Sequence, residues 1–161
     1  MLFSIITVAL IVLDQISKYL TIHYLKPIET YTIIENVFSL TYVENRGAAF
    51  GMLANSRWIF LVVSTFAIIV MAFYKIKHKP KGKMINISLC LLLSGAVGNM
   101  IDRIFLGYVV DMLEITFINY PVFNIADCFV VIGAILFSIY ILFLYDDPKK
   151  KTQKIKIMKK S

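Results

Sequence analysis

Residues 84–106 read MINISLCLLLSGAVGNMIDRIFL, an apolar run whose second half carries Asn99, Asp102 and Arg103. A helix needs about 20 mostly apolar residues to cross a hydrocarbon core of ~30 Å, and this run is long enough. Each ionisable side chain near the centre of such a helix costs about 2.5–3.5 kcal/mol on insertion scales, so it needs a partner or a function. The stretch therefore predicts a membrane helix that carries a polar site toward one end.

Three further stretches have a similar length and composition, at about 2–24, 58–74 and 123–145. Across the chain, 59% of the residues are hydrophobic and only 17% are charged, a balance outside the usual range of soluble domains. We therefore expect an all-α membrane protein with four transmembrane helices, forming a single integral membrane domain over residues 1–161.

The basic residues indicate how the helices are oriented. The net charge is +7, and twelve of the seventeen Lys and Arg residues lie in segments 75–83 and 149–160. A nucleic-acid binder is one interpretation of this charge, but both segments flank apolar stretches, which favours membrane topology. The positive-inside rule then places the 75–83 loop, the basic tail 146–161 and both termini in the cytoplasm. The first apolar run has no basic region before it and no cleavage site after it, so it is expected to be retained.

The segment between the first two helices is predicted to form a small extracytoplasmic β-sheet over about residues 28–56. Residues 29–34 and 37–43 are rich in Thr, Tyr, Ile, Val and Phe, which favours two short strands. The segment continues into NRGAAFG at 45–51, where Gly47 permits a tight backbone turn.

Polar residues from three predicted helices fall at one depth. At 1.5 Å per residue, they lie roughly 18–27 Å from the cytoplasmic edge. Single polar residues often only join helices or extend toward the headgroups, but five groups at one depth favour a functional site. These residues are Asp14, Lys18, Asn99, Asp102 and Asp127.

Several acids in or near this layer are candidates for chemistry. Lys18 follows Asp14 by four residues, a spacing that favours an ion pair, so Asp14 is expected to be structural or to orient a ligand. Asp111, expected in the outer loop, and Asp127, expected one turn into the fourth helix, have no basic residue nearby in sequence. Two carboxylates can share one proton, so that one activates water while the other donates to a carbonyl oxygen. The residues alone leave Asp102 as a further candidate.

Other kinds of site have little support. His23 and His78 lie outside the polar layer, which argues against a histidine metal site or a Ser-His pair there. The glycines of NRGAAFG lack the lysine of a phosphate-binding loop. Cys90 and Cys128 are expected at different depths and therefore unpaired. We expect neither a metal nor a cofactor.

Four motifs in order resemble the lipoprotein signal peptidase family, also called signal peptidase II. They are DQISK at 14–18, NRGAAFG at 45–51, GNMIDRIFLGYVVD at 98–111 and FNIAD at 123–127. The resemblance implies an aspartyl endopeptidase of the bacterial inner membrane. Such enzymes remove the signal peptide from diacylglyceryl-modified prolipoproteins, cutting before the lipidated cysteine at the outer leaflet. Its expected partners are these substrates and membrane lipids, with no nucleic acid and no obligate protein partner.

By the same resemblance, Asp111 and Asp127 would be the catalytic pair. Arg103, Asn45 and Asn124 are expected to hold peptide carbonyls that lack water partners in the membrane. Two positions depart from the family pattern: Met112 stands where an aromatic residue is common, and Cys128 where serine or threonine is frequent. The residues expected to bind substrate or shape the site are Asp14, Lys18, Asn45, Gly47, Asn99, Asp102, Arg103, Asn124 and Ala126.

The main alternative is a small proton- or cation-coupled transporter, since membrane carboxylates often carry protons or ions. Transporters commonly show paired repeats and broken helices that reach the midplane. Here the two halves of the chain lack similarity and the polar layer is off-centre. A non-catalytic membrane scaffold is a second alternative, but it would not need the carboxylates.

Overall fold

The computed structural model describes residues 2–47 and 56–145. The predicted tail 146–161 and the second half of the NRGAAFG motif lie outside these residues. Two helices continue into a π-helical turn, at Thr21–Leu25 and Tyr140–Leu144. The four main helices are α1 (Leu2–Leu20), α2 (Arg57–His78), α3 (Lys83–Phe105) and α4 (Ile125–Ile139).

With their π-helical turns, the four helical segments span 24, 22, 23 and 20 residues. Each is long and apolar enough to cross a membrane, which confirms the predicted fold class. The helix α2 extends four residues past the predicted end at 74 and includes Lys75, Lys77 and His78. Long basic side chains at a helix end can reach toward the headgroups, so the helix need not stop where the apolar run does.

The bundle is organised around α3, which packs against the other three helices. Two glycines allow α3 and α4 to approach closely. A Cβ at Gly95 would collide with the backbone oxygen of Ala126, and one at Gly133 would lie 2.9–3.0 Å from Leu92. Small residues at such contacts are typical of membrane helix pairs. The first turn of α4, which contains Ala126, is therefore held directly against α3.

The outer surfaces of the helices are apolar, and charged side chains are buried between the helices, unlike in a typical soluble bundle. Val62 and Phe66 on α2 are 68% and 69% exposed, whereas Asp14, Lys18 and Asp102 are almost fully buried. In lipid, apolar side chains can face outward without cost, and polar groups need partners inside the protein. The exposed surface is therefore suited to acyl chains.

A three-stranded antiparallel sheet lies at the end of the bundle where α1 and α3 finish. Its strands, in the order β1-β2-β3, are β1 (Thr30–Ile34), β2 (Phe38–Asn45) and β3 (Val109–Ile115). The two strands predicted between the first two helices are present. The third strand comes from the connection between α3 and α4.

The expectation that Asp111 lies in a loop was wrong, because Asp111 is on β3 and pairs with Val43 of β2. The sequence of this strand, VVDMLEI, is rich in residues that favour strands. Its register with β2 also brings Asn45 opposite Val109. The sheet therefore carries two of the predicted site residues on neighbouring strands.

A small core fixes β3 to the end of α1. It consists of Leu25, Val110 and Met112, all of which are buried. An unbranched methionine side chain adapts to irregular gaps, so Met112 packs here in place of the aromatic residue that the family pattern suggested. Asp111 lies between Val110 and Met112, so the strand that carries it is anchored on both sides.

Candidate active site

Asp111 and Asp127 lie on either side of one asparagine. The side-chain Nδ2 of Asn124 donates to Asp111 Oδ1 at 2.6 Å, and its backbone N–H donates to Asp127 Oδ2 at 3.2 Å. Asp111 is 1% exposed and Asn124 is fully buried. The structure therefore brings the two acids of the expected pair together across the start of α4.

The start of α4 explains how Asp127 is oriented. Asn124 is the N-cap residue, with its Oδ1 accepting from the backbone N–H of Asp127 at 2.9 Å. The Asp127 carboxylate accepts in return from the backbone N–H of Asn124, which completes a capping box. Because the Asn124 oxygen is used in the cap, its NH₂ group is directed to Asp111.

All four carboxylate oxygens of the pair receive an N–H donor. Besides the two contacts from Asn124, Asn45 Nδ2 donates to Asp111 Oδ2 at 2.9 Å. Asn99 Nδ2 donates to Asp127 Oδ1 at 2.7 Å. Amide N–H groups only donate, so they cannot accept a proton from the acids. A proton held by the pair must therefore use the remaining lone pairs of these oxygens.

The orientation of each amide is fixed by contacts to its oxygen. Asn99 Oδ1 accepts from Lys18 Nζ at 2.9 Å and from Asn124 Nδ2 at 3.2 Å. Asn45 Oδ1 accepts from the backbone N–H of Gly47 at 3.0 Å. With their oxygens occupied, the NH₂ groups of both asparagines face the carboxylates.

Behind the acids lies a buried ion triad centred on Lys18. Its Nζ is 3.0 Å from Asp14 Oδ2 and 2.9 Å from Asp102 Oδ2. The i,i+4 pair of Asp14 and Lys18 predicted from the sequence is confirmed, and Asp102 of α3 joins it. Buried charges require such pairing because each loses its hydration.

The triad also joins four elements of the fold. Asp14 Oδ1 accepts from the backbone N–H of Ala126 at 3.0 Å, and Asp102 Oδ2 accepts from that of Val110 at 3.1 Å. These contacts connect α1 and α3 to the first turn of α4 and to β3. Asp14 and Asp102 therefore lie behind the acid pair, where they hold the backbone beside Asp111 and Asp127.

Gln15 was missed by the sequence interpretation. Its Nε2 lies 3.2 Å from Asp14 Oδ2, 3.2 Å from the Gly98 carbonyl oxygen and 3.1 Å from Asp102 Oδ1. The available signal was its position next to Asp14 in an otherwise apolar helix. Gly98 is required at this crossing, because a Cβ there would collide with the Asp14 carboxylate.

A cavity of about 220 Å³ opens beside Asp127. Arg103 lies on its wall, where Nη2 donates to the Gly47 carbonyl at 3.3 Å and the guanidinium lies 4.7 Å from the centre of the Phe60 ring. Other residues that line it are Asn45, Asn99, Val109, Tyr120, Pro121, Val122 and Phe123. The Asp127 side chain is therefore reachable from this cavity.

The structure changes the expected roles of two asparagines. Asn45 and Asn124 were expected to hold peptide carbonyls, but the NH₂ groups of both donate to Asp111. Arg103 does face the cavity, and its five N–H donors exceed the two carbonyl contacts that it makes with Gly47 and Asn99. Of the three residues, Arg103 remains suited to hold a peptide.

The surroundings of Asp111 alter its acidity. Burial raises the pKa of Asp111 to about 7, and the nearby charge of Asp127 acts in the same direction. The N–H groups of Asn45 and Asn124 oppose this increase by stabilising the charged form. An acid with this pKa can both hold and release a proton near neutral pH.

Comparison with known proteins gives consistent matches over most of the chain. The profile of a family described as Signal peptidase (SPase) II matches residues 6–143. The lipoprotein signal peptidase of Caldanaerobacter subterraneus subsp. tengcongensis is 48% identical over 141 residues, covering 87% of this chain and 96% of the relative. That of Clostridioides difficile is 47% identical over 143 residues, covering 89% and 96%.

Solved structures show the same architecture. A bacterial membrane enzyme determined by the in meso method at 2.3 Å resolution has a TM-score of 0.81 and 31% identity, with 87% of each chain covered. A second, at 1.9 Å resolution, has a TM-score of 0.79 and 30% identity, covering 89% of this chain and 94% of the other. The similarity therefore extends over most of the fold.

Proposed function

Because the chain belongs to the signal peptidase II family, whose members process lipoproteins, we propose that Asp111 and Asp127 are the catalytic pair of this aspartic endopeptidase. The observation that carries the proposal is the double contact of Asn124, which touches both carboxylates beside a cavity that Asp127 lines. These relationships give no support to the alternative of a small transporter.

The proposed reaction uses the two acids in different protonation states. Asp127, ionised, accepts a proton from a water molecule as its oxygen attacks the carbonyl carbon of the scissile peptide bond. Asp111, whose raised pKa allows it to keep a proton, donates that proton to the carbonyl oxygen. The tetrahedral intermediate then breaks its C–N bond as the leaving nitrogen takes up a proton from Asp127. Asp111 takes back a proton from one hydroxyl group of the intermediate as the new carbonyl forms, so both acids return to their starting states.

The hydrogen bonds around the acids hold both carboxylates in position for this reaction. Four N–H groups hold the carboxylates in place and leave their remaining lone pairs for water and substrate. Groups that are fixed before the reaction need not reorganise as charge develops, which lowers the barrier. The same contacts keep the separation of the acids constant through the proton transfers.

The substrate is proposed to be a prolipoprotein carrying a diacylglyceryl group on the cysteine after the cleaved bond. A lipid-linked substrate stays in the membrane, so the site must lie near the headgroups. The acid pair meets this need because it lies where the bundle joins the sheet, at the opposite end from the lysine-rich loop after α2. By the positive-inside rule the sheet would face outward, the termini would be cytoplasmic and cleavage would occur at the outer leaflet.

We propose that the remaining predicted residues support this site. Lys18, Asp14, Asp102 and Ala126 position the backbone and amides behind the acids. Arg103 and Gly47 form the wall that receives the peptide. Their contacts give each a defined place, although only the two carboxylates take part in proton transfer.

Activity should fall as the pH rises through about 7. Above this value Asp111 loses the proton that it must donate, because its pKa is raised to about 7. We expect kcat/KM for a lipid-modified prolipoprotein to decrease about tenfold per pH unit on the alkaline side. Initial rates in detergent micelles from pH 5 to 9 would measure this limb. A rate that stays constant up to pH 9 would contradict the assignment of the proton to Asp111.

Expression in bacterial cells that lack this activity tests the proposed function. A diacylglyceryl-prolipoprotein should move faster on a gel when the chain is present, because its signal peptide is removed. The same precursor with its cysteine left unmodified should remain uncut and serves as the control. If the chain is inserted in the membrane and the modified precursor still accumulates, the proposal fails.

A further inference from the structure

A second cavity, which we call the α4 groove, runs from Asp127 along the outer side of α4. It has a volume of about 280 Å³ and its lining is largely apolar. Besides the residues that it shares with the cavity beside Asp127, it is lined by Ile115, Cys128, Val131 and Ile132. Val131 and Ile132 are 53% and 49% exposed, so the groove opens on the side of α4 that faces lipid.

The α4 groove adjoins the cavity of about 220 Å³ beside Asp127, which we call the catalytic cavity. Tyr120, Phe123 and Asp127 line both. The rings of Tyr120 and Phe123 pack edge to face at 5.7 Å between centres, which gives the shared edge a defined shape. Asp127 therefore has a polar cavity with Arg103 on one side and an apolar groove on the other.

We propose that the α4 groove holds one acyl chain of the substrate's own diacylglyceryl group. The inference rests on the proposed function and adds a binding site to it. In a lipid-modified substrate the diacylglyceryl group is attached to the residue directly after the scissile bond. When that bond lies at Asp127, the lipid is only a few bonds away, and the groove provides the adjoining apolar path.

The lining of the groove favours an acyl chain over a segment of extended peptide. This lining is largely apolar. A peptide backbone lying there would need hydrogen-bond partners that the groove does not supply, whereas an acyl chain has no backbone polar groups.

The groove should act by positioning rather than by affinity. Lipid tails are already as apolar as the groove, so an acyl chain gains little hydrophobic free energy by entering it. Holding the chain would instead fix the cysteine to which it is attached, and a misplacement of about 1 Å can cost ~100-fold in rate. Filling the groove should therefore lower kcat more than it raises KM.

The test compares two tryptophan variants of α4. Val131→Trp fills the α4 groove, whereas Ile135→Trp, one turn further along, introduces the same side chain at an exposed position outside the groove lining. With a diacylglyceryl substrate, Val131→Trp should lower kcat by tenfold or more, and Ile135→Trp should change it by less than twofold. Equal rates for both variants would overturn the proposal.

Crosslinking identifies the occupant directly. A cleavable substrate carrying a photoreactive diazirine on one acyl chain should label the segment that contains Cys128, Val131 and Ile132. A phospholipid that carries a diazirine tests whether membrane lipid labels the same segment. If excess substrate does not reduce that labelling, the groove binds membrane lipid rather than the substrate's acyl chain, and the proposal is overturned. Labelling from a diazirine in the signal peptide, with none from the acyl chain, would also overturn it.

The outcome is separable from that of the proposed function. If the unmodified chain does not cleave the lipid-modified precursor at all, the proposed function has failed. If it cleaves normally and Val131→Trp has no selective effect, only the α4 groove assignment is wrong.

Discussion

Replacing Asp127 by asparagine is expected to lower cleavage of a lipid-modified prolipoprotein by about 10³-fold, because an amide cannot accept the proton from the attacking water. The side-chain oxygen of asparagine can still accept from the backbone N–H of Asn124, so the start of α4 should be preserved. Purified variants in detergent, assayed by release of the signal peptide, would give the ratio of kcat/KM. Asp111→Asn should cause a loss of similar size, because it removes the proton donor.

A matched control is available on the same strand as Asp111. Glu114 lies on β3 but accepts from Thr41, and Glu114→Gln should change the rate by less than about twofold. Mass spectrometry should verify that asparagine at position 127 has not been hydrolysed to aspartate. Full activity of a verified Asp127→Asn protein would remove the basis for the proposed mechanism.

Replacing Lys18 by methionine should destabilise the folded protein by about 3–5 kcal/mol, since it leaves Asp14 and Asp102 buried without their shared cation. Thermal unfolding in detergent would show a lower midpoint. Lys26→Met is the comparison, because Lys26 pairs with Glu44 while 46% exposed, and such surface pairs contribute roughly 0–1 kcal/mol.

A further variant separates the effect of leaving Asp14 and Asp102 without a cation from the effect of losing the packing of the Lys18 side chain. In a protein with Lys18→Met, Asp14→Asn and Asp102→Asn, no charge remains at the triad. Part of the lost stability should return, because the buried groups no longer carry uncompensated charge. If Lys18→Met alone unfolds at the temperature of the unmodified protein, the triad does not stabilise the bundle as we infer.

The features that were predictable from the sequence are those set by local pattern. The apolar runs are long enough to define membrane helices whatever their neighbours, and Asp14 and Lys18 face each other because residues four apart share a helix face. The two strands of the first connection were also predictable from β-branched and aromatic residues. None of these conclusions depends on how distant parts of the chain meet.

The features that were not predictable depend on tertiary contacts. Asp102 pairs with Lys18 because α1 and α3 cross at Gly98, and no spacing within α3 indicates that partner. The direction of the Asn45 and Asn124 amides depends on which groups occupy their oxygens. The strand that carries Asp111 is short, and it is its pairing with β2 in the folded protein that identifies it as a strand.

The exposed position of α2 has a consequence for how such an enzyme can adapt. None of its residues, all of which the structure describes, is buried, and it lines the catalytic cavity through Phe60 in its first turn. Residues added or removed near His78 would leave that turn in place. A mismatch between the length of a helix and the thickness of its bilayer costs fractions of a kcal/mol per Å. Related enzymes in thicker or thinner membranes can therefore differ in the length of this helix while keeping the same catalytic residues.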